Sequence, residues 1–246
     1  MITTKNTTGQ PPFDYEKANT SFSWENIARE LSGLPDKKGL NIAYEAIERH
    51  TDRIKNTIAF RFIRKDRSFH DLTYGELQKQ TSQFANVLQN LGIQKGERVF
   101  SFAGRIPELY ITALGTLKYT AVFCPLFSVF GPEPVFQRLS RGDATVLVTT
   151  SILFEKKIKL LIERLPVLRY IILTDASEHI SEKILSFSKL METAQTDFII
   201  PETNPEDPAL LHFTSGTTGM PKGVLHVHQA VLTHYITGKY VLDFHA

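Results

Sequence analysis

Between Phe213 and Gly223 the chain reads FTSGTTGMPKG. Thr214, Ser215, Thr217 and Thr218 bring four hydroxyls to this stretch, and Lys222 adds a mobile full charge. Gly216, Gly219 and Gly223 let backbone N–H groups turn toward an anion. An apolar run, residues 209–213, leads in, and Val224-Leu225 leads out. The pattern is a strand delivering a phosphate cradle. It is not the G-x-x-x-x-G-K-[ST] loop, in which a hydroxyl follows the lysine to meet magnesium. Here Gly223 follows Lys222, the hydroxyls precede it, and Pro221 removes one N–H. That order excludes a kinase-type or GTPase-type loop. A polar surface turn that binds nothing is a poor account of so long and ordered a stretch.

Other reactive residues carry less. His226 and His228 form an H-x-H pair that invites a zinc reading, but no neighbouring cysteine or carboxylate completes a tetrahedral set, so no metal site is expected. Cys124 lies in the apolar run 121–124 and reads as a small buried hydrophobe. Arg141-Gly142-Asp143 reads as a turn. Lys156, Lys157 and Lys159 read as a solvated helix face rather than a binding surface for nucleotide phosphates. The aromatics, 17 Phe and 8 Tyr, are not arranged as a base-stacking platform.

The elements that must position the loop follow from periodicity. Residues 1–12 read as a flexible lead-in, and residues 13–246 as one partial domain. Helical spacing spans 40–50, with Ile42, Ala46 and Ile47 on one face. Residues 58–63 alternate as a strand. Thr73 and Glu76 form a capping box, followed by the stripe Leu77, Phe84, Leu88 and Leu91 and a stop at Gly92. Strands are expected at 98–103, 121–124, 144–150 and 169–174. Pro107 and Glu108 open a helix whose apolar side includes Tyr110, Leu114 and Leu117. A Pro/Gly-rich loop spans 125–134, a helix follows to about 140, and another covers 152–165. Residues 175–208 are left without assigned structure. Strands alternating with helices imply an α/β fold, a doubly wound, mostly parallel sheet flanked by helices.

Composition bounds the function classes. The 246 residues are 42% hydrophobic and 22% charged, ordinary for a globular chain. A net charge of +2 gives no support for nucleic acid as a partner. One cysteine excludes a disulfide framework and fits a reducing compartment. The polar start MITTKNTTGQPP is not a signal peptide, and no apolar run is long enough to cross a bilayer, so a cytoplasmic protein without membrane association is expected.

The order T-S-G-T-T-G-x-P-K-G resembles the phosphate-binding signature of the adenylate-forming ligases, which include acyl-CoA synthetases, luciferases and peptide-synthetase adenylation domains. Residues 40–50, 105–135 and 223–228 resemble the acetyl- and propionyl-CoA synthetase branch, so the likeness covers about 22–246 and is weakest between 151 and 208. Thr120 stands where that branch usually has glycine, and Met220 where it usually has lysine or threonine. The resemblance implies a two-step reaction. A carboxylate such as acetate, propionate or a medium-chain acid attacks ATP to give acyl-AMP and pyrophosphate, and coenzyme A then takes the acyl group. ATP with Mg2+ and coenzyme A are the implied co-substrates. Thr214, Ser215, Gly216, Thr217, Thr218, Gly219, Lys222 and Gly223 are the implied phosphate-binding residues. Lys222 is implied to bear charge on the pyrophosphate, and His228 is implied to lie near the acyl and pantetheine channel.

Other parts of the family pattern are not in this sequence. The aromatic-x-Thr-Glu motif, the ribose-binding aspartate motif and the small domain with its catalytic lysine are all missing. The expectation is an incomplete N-terminal ATP/acyl-binding domain, inactive alone and prone to self-association through an open sheet edge. The alternative is a naturally short protein that binds a nucleotide or a partner without ligase activity.

Overall fold

The computed structural model describes residues 15–215, 220–242 and 244. The lead-in at 1–12 lies outside them. In chain order the elements begin with α1 (Tyr15–Ser21), α2 (Trp24–Ala28), α3 (Arg49–Ile54), β1 (Ile58–Ile63), β2 (Phe69–Thr73) and α4 (Tyr74–Asn90). Next come β3 (Arg98–Ala103), α5 (Pro107–Tyr119), β4 (Val122–Phe127), α6 (Pro132–Arg141), β5 (Ala144–Thr149) and α7 (Ser151–Leu153). The last are β6 (Tyr170–Leu173), β7 (Ile184–Ser186), α8 (Phe187–Thr193), β8 (Pro208–Ser215), β9 (Pro221–Val227) and α9 (Ala230–Ile236).

Two units divide the chain, Met1–Ser32 with Ala230–Ala246, and Gly33–Gln229. In the small unit Ile27 of α2 and Leu232 of α9 are buried. Glu30 accepts hydrogen bonds from Tyr235 Oη at 2.5 Å and Lys239 Nζ at 2.6 Å.

The larger unit is built on a seven-stranded sheet of order β7-β6-β5-β3-β4-β8-β9. Every neighbouring pair is parallel except β8 and β9, which are antiparallel. Strands covered on both faces need continuous apolar runs, and β5 is buried at all six positions. Alternate side chains go to opposite layers. Phe100, Phe102 and Leu147 pack with Val135, Phe154 and Ile158 on one face. Val99, Val146 and Ile172 pack with Phe84, Leu88 and Ile111 on the other. The fold is therefore the doubly wound, helix-flanked α/β architecture anticipated.

Local signals explain most elements. Thr73 Oγ1 and the Glu76 carboxylate cap α4 reciprocally, and Gly92 leaves it with φ +66°. Pro107 starts α5, and Gly115 lets it lie on α4: a Cβ added there would stand 2.8 Å from Phe84 Cβ. Lys118 is fully buried between these helices, where its Nζ donates to Gln78 O at 3.1 Å and Ser82 Oγ at 3.0 Å and pairs with Glu48. Burial pushes the Lys118 ammonium below its ordinary pKa, against the pull of Glu48.

Several sequence expectations need correction. Ile47 is buried as expected, but Ala46 is exposed and Ala43 and Glu45 turn inward, because residues Tyr44–Glu48 form a wider π turn that shifts the helical phase. On α5 Leu117 is buried as expected, with Ile111, Thr112, Gly115, Thr116 and Lys118, but Tyr110 and Leu114 are only half-buried. The fourth strand runs on to Phe127, into the expected loop. The helical stretch after Thr150 changes pitch twice, to a π turn at Phe154–Ile158 and a 3-10 turn at Lys159–Arg164. Residues 175–208 hold β7 and α8, and Phe69–Thr73 forms a strand that was not anticipated. Among the described residues no helix is long and apolar enough to cross a membrane.

Candidate functional site

In a parallel open sheet, ligands bind outside the carboxyl ends of the strands. Residues 213–215 end β8 and residues 221–223 begin β9 at that edge; the two strands are antiparallel, and β8 runs parallel to β4. Phe213, Thr214, Ser215, Pro221, Lys222 and Gly223 are described, while Gly216, Thr217, Thr218 and Gly219 lie outside the described residues.

Register decides which side chains act together, since directly opposed residues of an antiparallel pair share a face. Thr214 pairs with Lys222, and Thr214 Oγ1 donates to Lys222 O at 3.4 Å. Both are exposed. One face of the hairpin carries Leu210, His212, Thr214, Lys222, Val224 and His226; Leu210 packs near Ala43 and Leu117, while His212, Thr214, Lys222 and Val224 are exposed. The other face carries Leu211 and Phe213, which pack on the Phe100–Phe102 layer. Gly223 belongs to that inner face: a Cβ there would lie 3.1 Å from Leu211 Cδ1. Its smallness therefore serves the packing of β9. Chemically, the hairpin offers an outward hydroxyl and an outward ammonium side by side beside the turn.

A cleft of about 410 Å³ opens on the same edge. Gly104 and Arg105 after β3, Tyr110 of α5, and Phe127 and Ser128 at the end of β4 line it. The sequence reading missed it because its walls are separate segments of moderate apolarity that only the β3–β4 pairing brings together. Lys157, read as solvated, turns inward and donates to Ser128 O at 3.0 Å and Phe130 O at 2.7 Å, bracing the loop beyond this cleft. Cys124 is buried, its Sγ donates to Leu211 O at 3.0 Å, and burial drives its thiol pKa far up, so it is no nucleophile.

His228 is not brought to the turn. It follows Val227, which pairs with Pro208 at the opposite end of the hairpin. It lies six positions along the chain from Lys222, roughly 20 Å in an extended strand. The ring is fully buried; Nδ1 accepts from the Ile42 N–H at 3.1 Å, and Nε2 has no partner among the described residues. Burial lowers its pKa to about 4, though the Asp207 carboxylate pulls the other way. The imidazole is therefore neutral at pH 7.

Around His228 the root of the hairpin is tied down. The His228 N–H donates to Asp207 O at 3.1 Å, and the Asp207 carboxylate pairs with Lys95 at 2.7 Å. Leu40 N donates to Thr203 O at 3.0 Å, and Asn41 Nδ2 to Leu117 O at 2.8 Å. Gly39, at φ +104°, admits this contact, because a Cβ there would stand 1.9 Å from Thr203 O. Among the described residues no group of three or more His, Cys, Asp or Glu is placed to hold a metal ion.

Fold and site together define a doubly wound α/β protein with a hydroxyl- and lysine-bearing hairpin turn at the carboxyl edge of its sheet. The chain belongs to the AMP-binding enzyme family, whose model matches residues 47–245. The acetyl-coenzyme A synthetase of Bacillus subtilis strain 168 is 36% identical over 234 residues, 94% of this chain and 40% of the relative. That of Bartonella henselae is 30% identical over 251 residues, 93% of this chain and 37% of the relative. Among solved structures, a Brucella canis acyl-CoA synthetase superposes with a TM-score of 0.80 at 27% identity, covering 92% of this chain and 40% of that one. The chain thus spans about 40% of the length of such relatives.

Proposed function

We propose that this chain supplies the phosphate-holding part of an acid–thiol ligase that activates acetate or a similar short-chain carboxylate. The reaction joins carboxylate and ATP into acyl-AMP and pyrophosphate, then passes the acyl group to coenzyme A. The observation that carries this reading is the Thr214–Lys222 pair, set outward at the turn of the β8–β9 hairpin on the carboxyl edge of the sheet. The names of the acetyl-coenzyme A synthetases at 36% and 30% identity support the choice of substrate.

The first step sets two anions face to face. Lys222 screens the β- and γ-phosphates and takes up charge as pyrophosphate leaves, which needs no reorganisation if the ammonium is already aimed there. The hydroxyls of Thr214, Ser215, Thr217 and Thr218 hold the phosphate oxygens in line, and Gly216 and Gly219 let the backbone approach. The exposed hydroxyl and ammonium fit a polyphosphate. Mg2+ supplies further charge neutralisation when bound with ATP, although the described residues offer no ligand cluster for it. His228 stays outside this chemistry, acting as an anchor for the hairpin. We further propose a cytoplasmic protein whose partners are small molecules, and little or no ligase turnover by these 246 residues alone.

Calorimetric titration of the chain with ATP or pyrophosphate tests the reading. Lys222→Ala is expected to weaken binding at least about tenfold, as fits loss of a charge-assisted hydrogen bond. Thr217→Ala should weaken it less. Equal affinity in wild type and both variants would remove the loop from the function.

A further inference from the structure

We propose that His212 and His226 form a two-armed chelate for a divalent transition-metal ion of the Zn2+, Cu2+ or Ni2+ class, on the outward face of the β8–β9 hairpin. The sequence suggests a different pair, His226 with His228, and the structure separates those two: His228 is buried at the root and its Nδ1 is taken by Ile42. The partner that β-pairing brings to His226 is His212. Leu210 pairs with His226 and His212 with Val224, which makes the two histidines diagonal neighbours on one face.

Their geometry suits a shared ion. The ring centroids stand 5.7 Å apart with the planes at 82°. Zinc–imidazole bonds of about 2.0–2.1 Å with a near-tetrahedral angle put two ring centres roughly 5 Å apart. A turn about χ2, a broad torsion in histidine, brings a nitrogen of each ring toward a common point. His212 is exposed and His226 half-buried, so an ion and its waters can reach them. Since no cluster of three ligand residues exists among the described residues, the protein supplies two arms and water fills the remaining positions. The ion would clamp β8 to β9 two residues along the strands, roughly 7 Å, from the Thr214–Lys222 pair. Imidazole donors favour Zn2+, Cu2+ and Ni2+ over Mg2+ or Ca2+.

The test does not depend on ligase activity. The full 246-residue chain is titrated with Cu2+ or Zn2+ alone by calorimetry, and its Cu2+ spectrum is recorded by electron paramagnetic resonance. Expected are one ion per chain, nitrogen hyperfine structure from two imidazoles, and a loss of affinity of at least about tenfold in His212→Asn and in His226→Gln, since each leaves a single arm. His234→Gln, in the other unit, should keep both affinity and spectrum. Circular dichroism of each variant establishes that it is folded. An unchanged affinity or spectrum in a folded His212→Asn or His226→Gln, or no binding by the wild type, overturns the proposal.

Discussion

A histidine that is buried and neutral costs stability when protons become abundant. Below its usual pKa of 6.5 the unfolded chain protonates His228, whereas the folded ring, with its pKa near 4, resists. The unfolded state therefore binds more protons, and stability falls as pH drops from about 6.5 toward 4. The full effect is about 3 kcal/mol at 1.36 kcal/mol per pKa unit. His228→Asn, whose amide oxygen can still accept from Ile42 N–H, should flatten this part of the pH profile in urea unfolding. If the variant keeps the wild-type slope, the dependence arises elsewhere.

At the same scale, Thr214 and Lys222 could be singled out because their types and spacing suit an anion site. The place of His228 at the root of the hairpin could not be read, because sequence proximity to Lys222 says nothing about which end of a hairpin a residue occupies. His212 escaped notice for the related reason that its partner is set by cross-strand register, which depends on the length of the turn.

Elements whose ends carry their own chemistry were read well. The Thr73–Glu76 box, Pro107 and the β3 and β5 runs all act within a few residues. The π turn at Tyr44–Glu48 was not legible, because it answers to packing partners far along the chain, such as the Asn41–Leu117 contact. The C-cap of α5 joins both kinds of information. Thr120 takes left-handed angles, φ 67° and ψ 22°, at the position where the family resemblance leads one to expect glycine. A β-branched residue is strained there. Thr120→Gly is expected to stabilise the fold by about 1 kcal/mol, read as a higher urea midpoint at unchanged slope. A lower midpoint would mean that the packing of the buried Thr120 side chain outweighs its backbone strain.

Across the whole molecule, the parallel, doubly wound character of the central strands followed from alternating β and α segments, but the antiparallel β9 at the end of the sheet did not. Val224 and Leu225 on that last strand are 42% and 53% exposed. An apolar edge strand is a template for pairing. We expect the chain to associate with itself as concentration rises, measured by light scattering, and Val224→Lys to reduce the effect. A wild-type chain that stays monomeric throughout the concentration series would contradict this.

Beyond the strand ladder and the packing of Leu211 and Phe213, β8 and β9 carry a cluster of restraints at their root. Thr203 against Gly39, Asp207 against Lys95 and His228 against Ile42 fix the base, and at the other end Thr214 Oγ1 donates across to Lys222 O. Mechanically this is a cantilever, and a small rotation at its fixed end becomes a larger displacement at the tip. We expect the aim of the Lys222 ammonium to respond to substitutions at this root, on the order of 20 Å away.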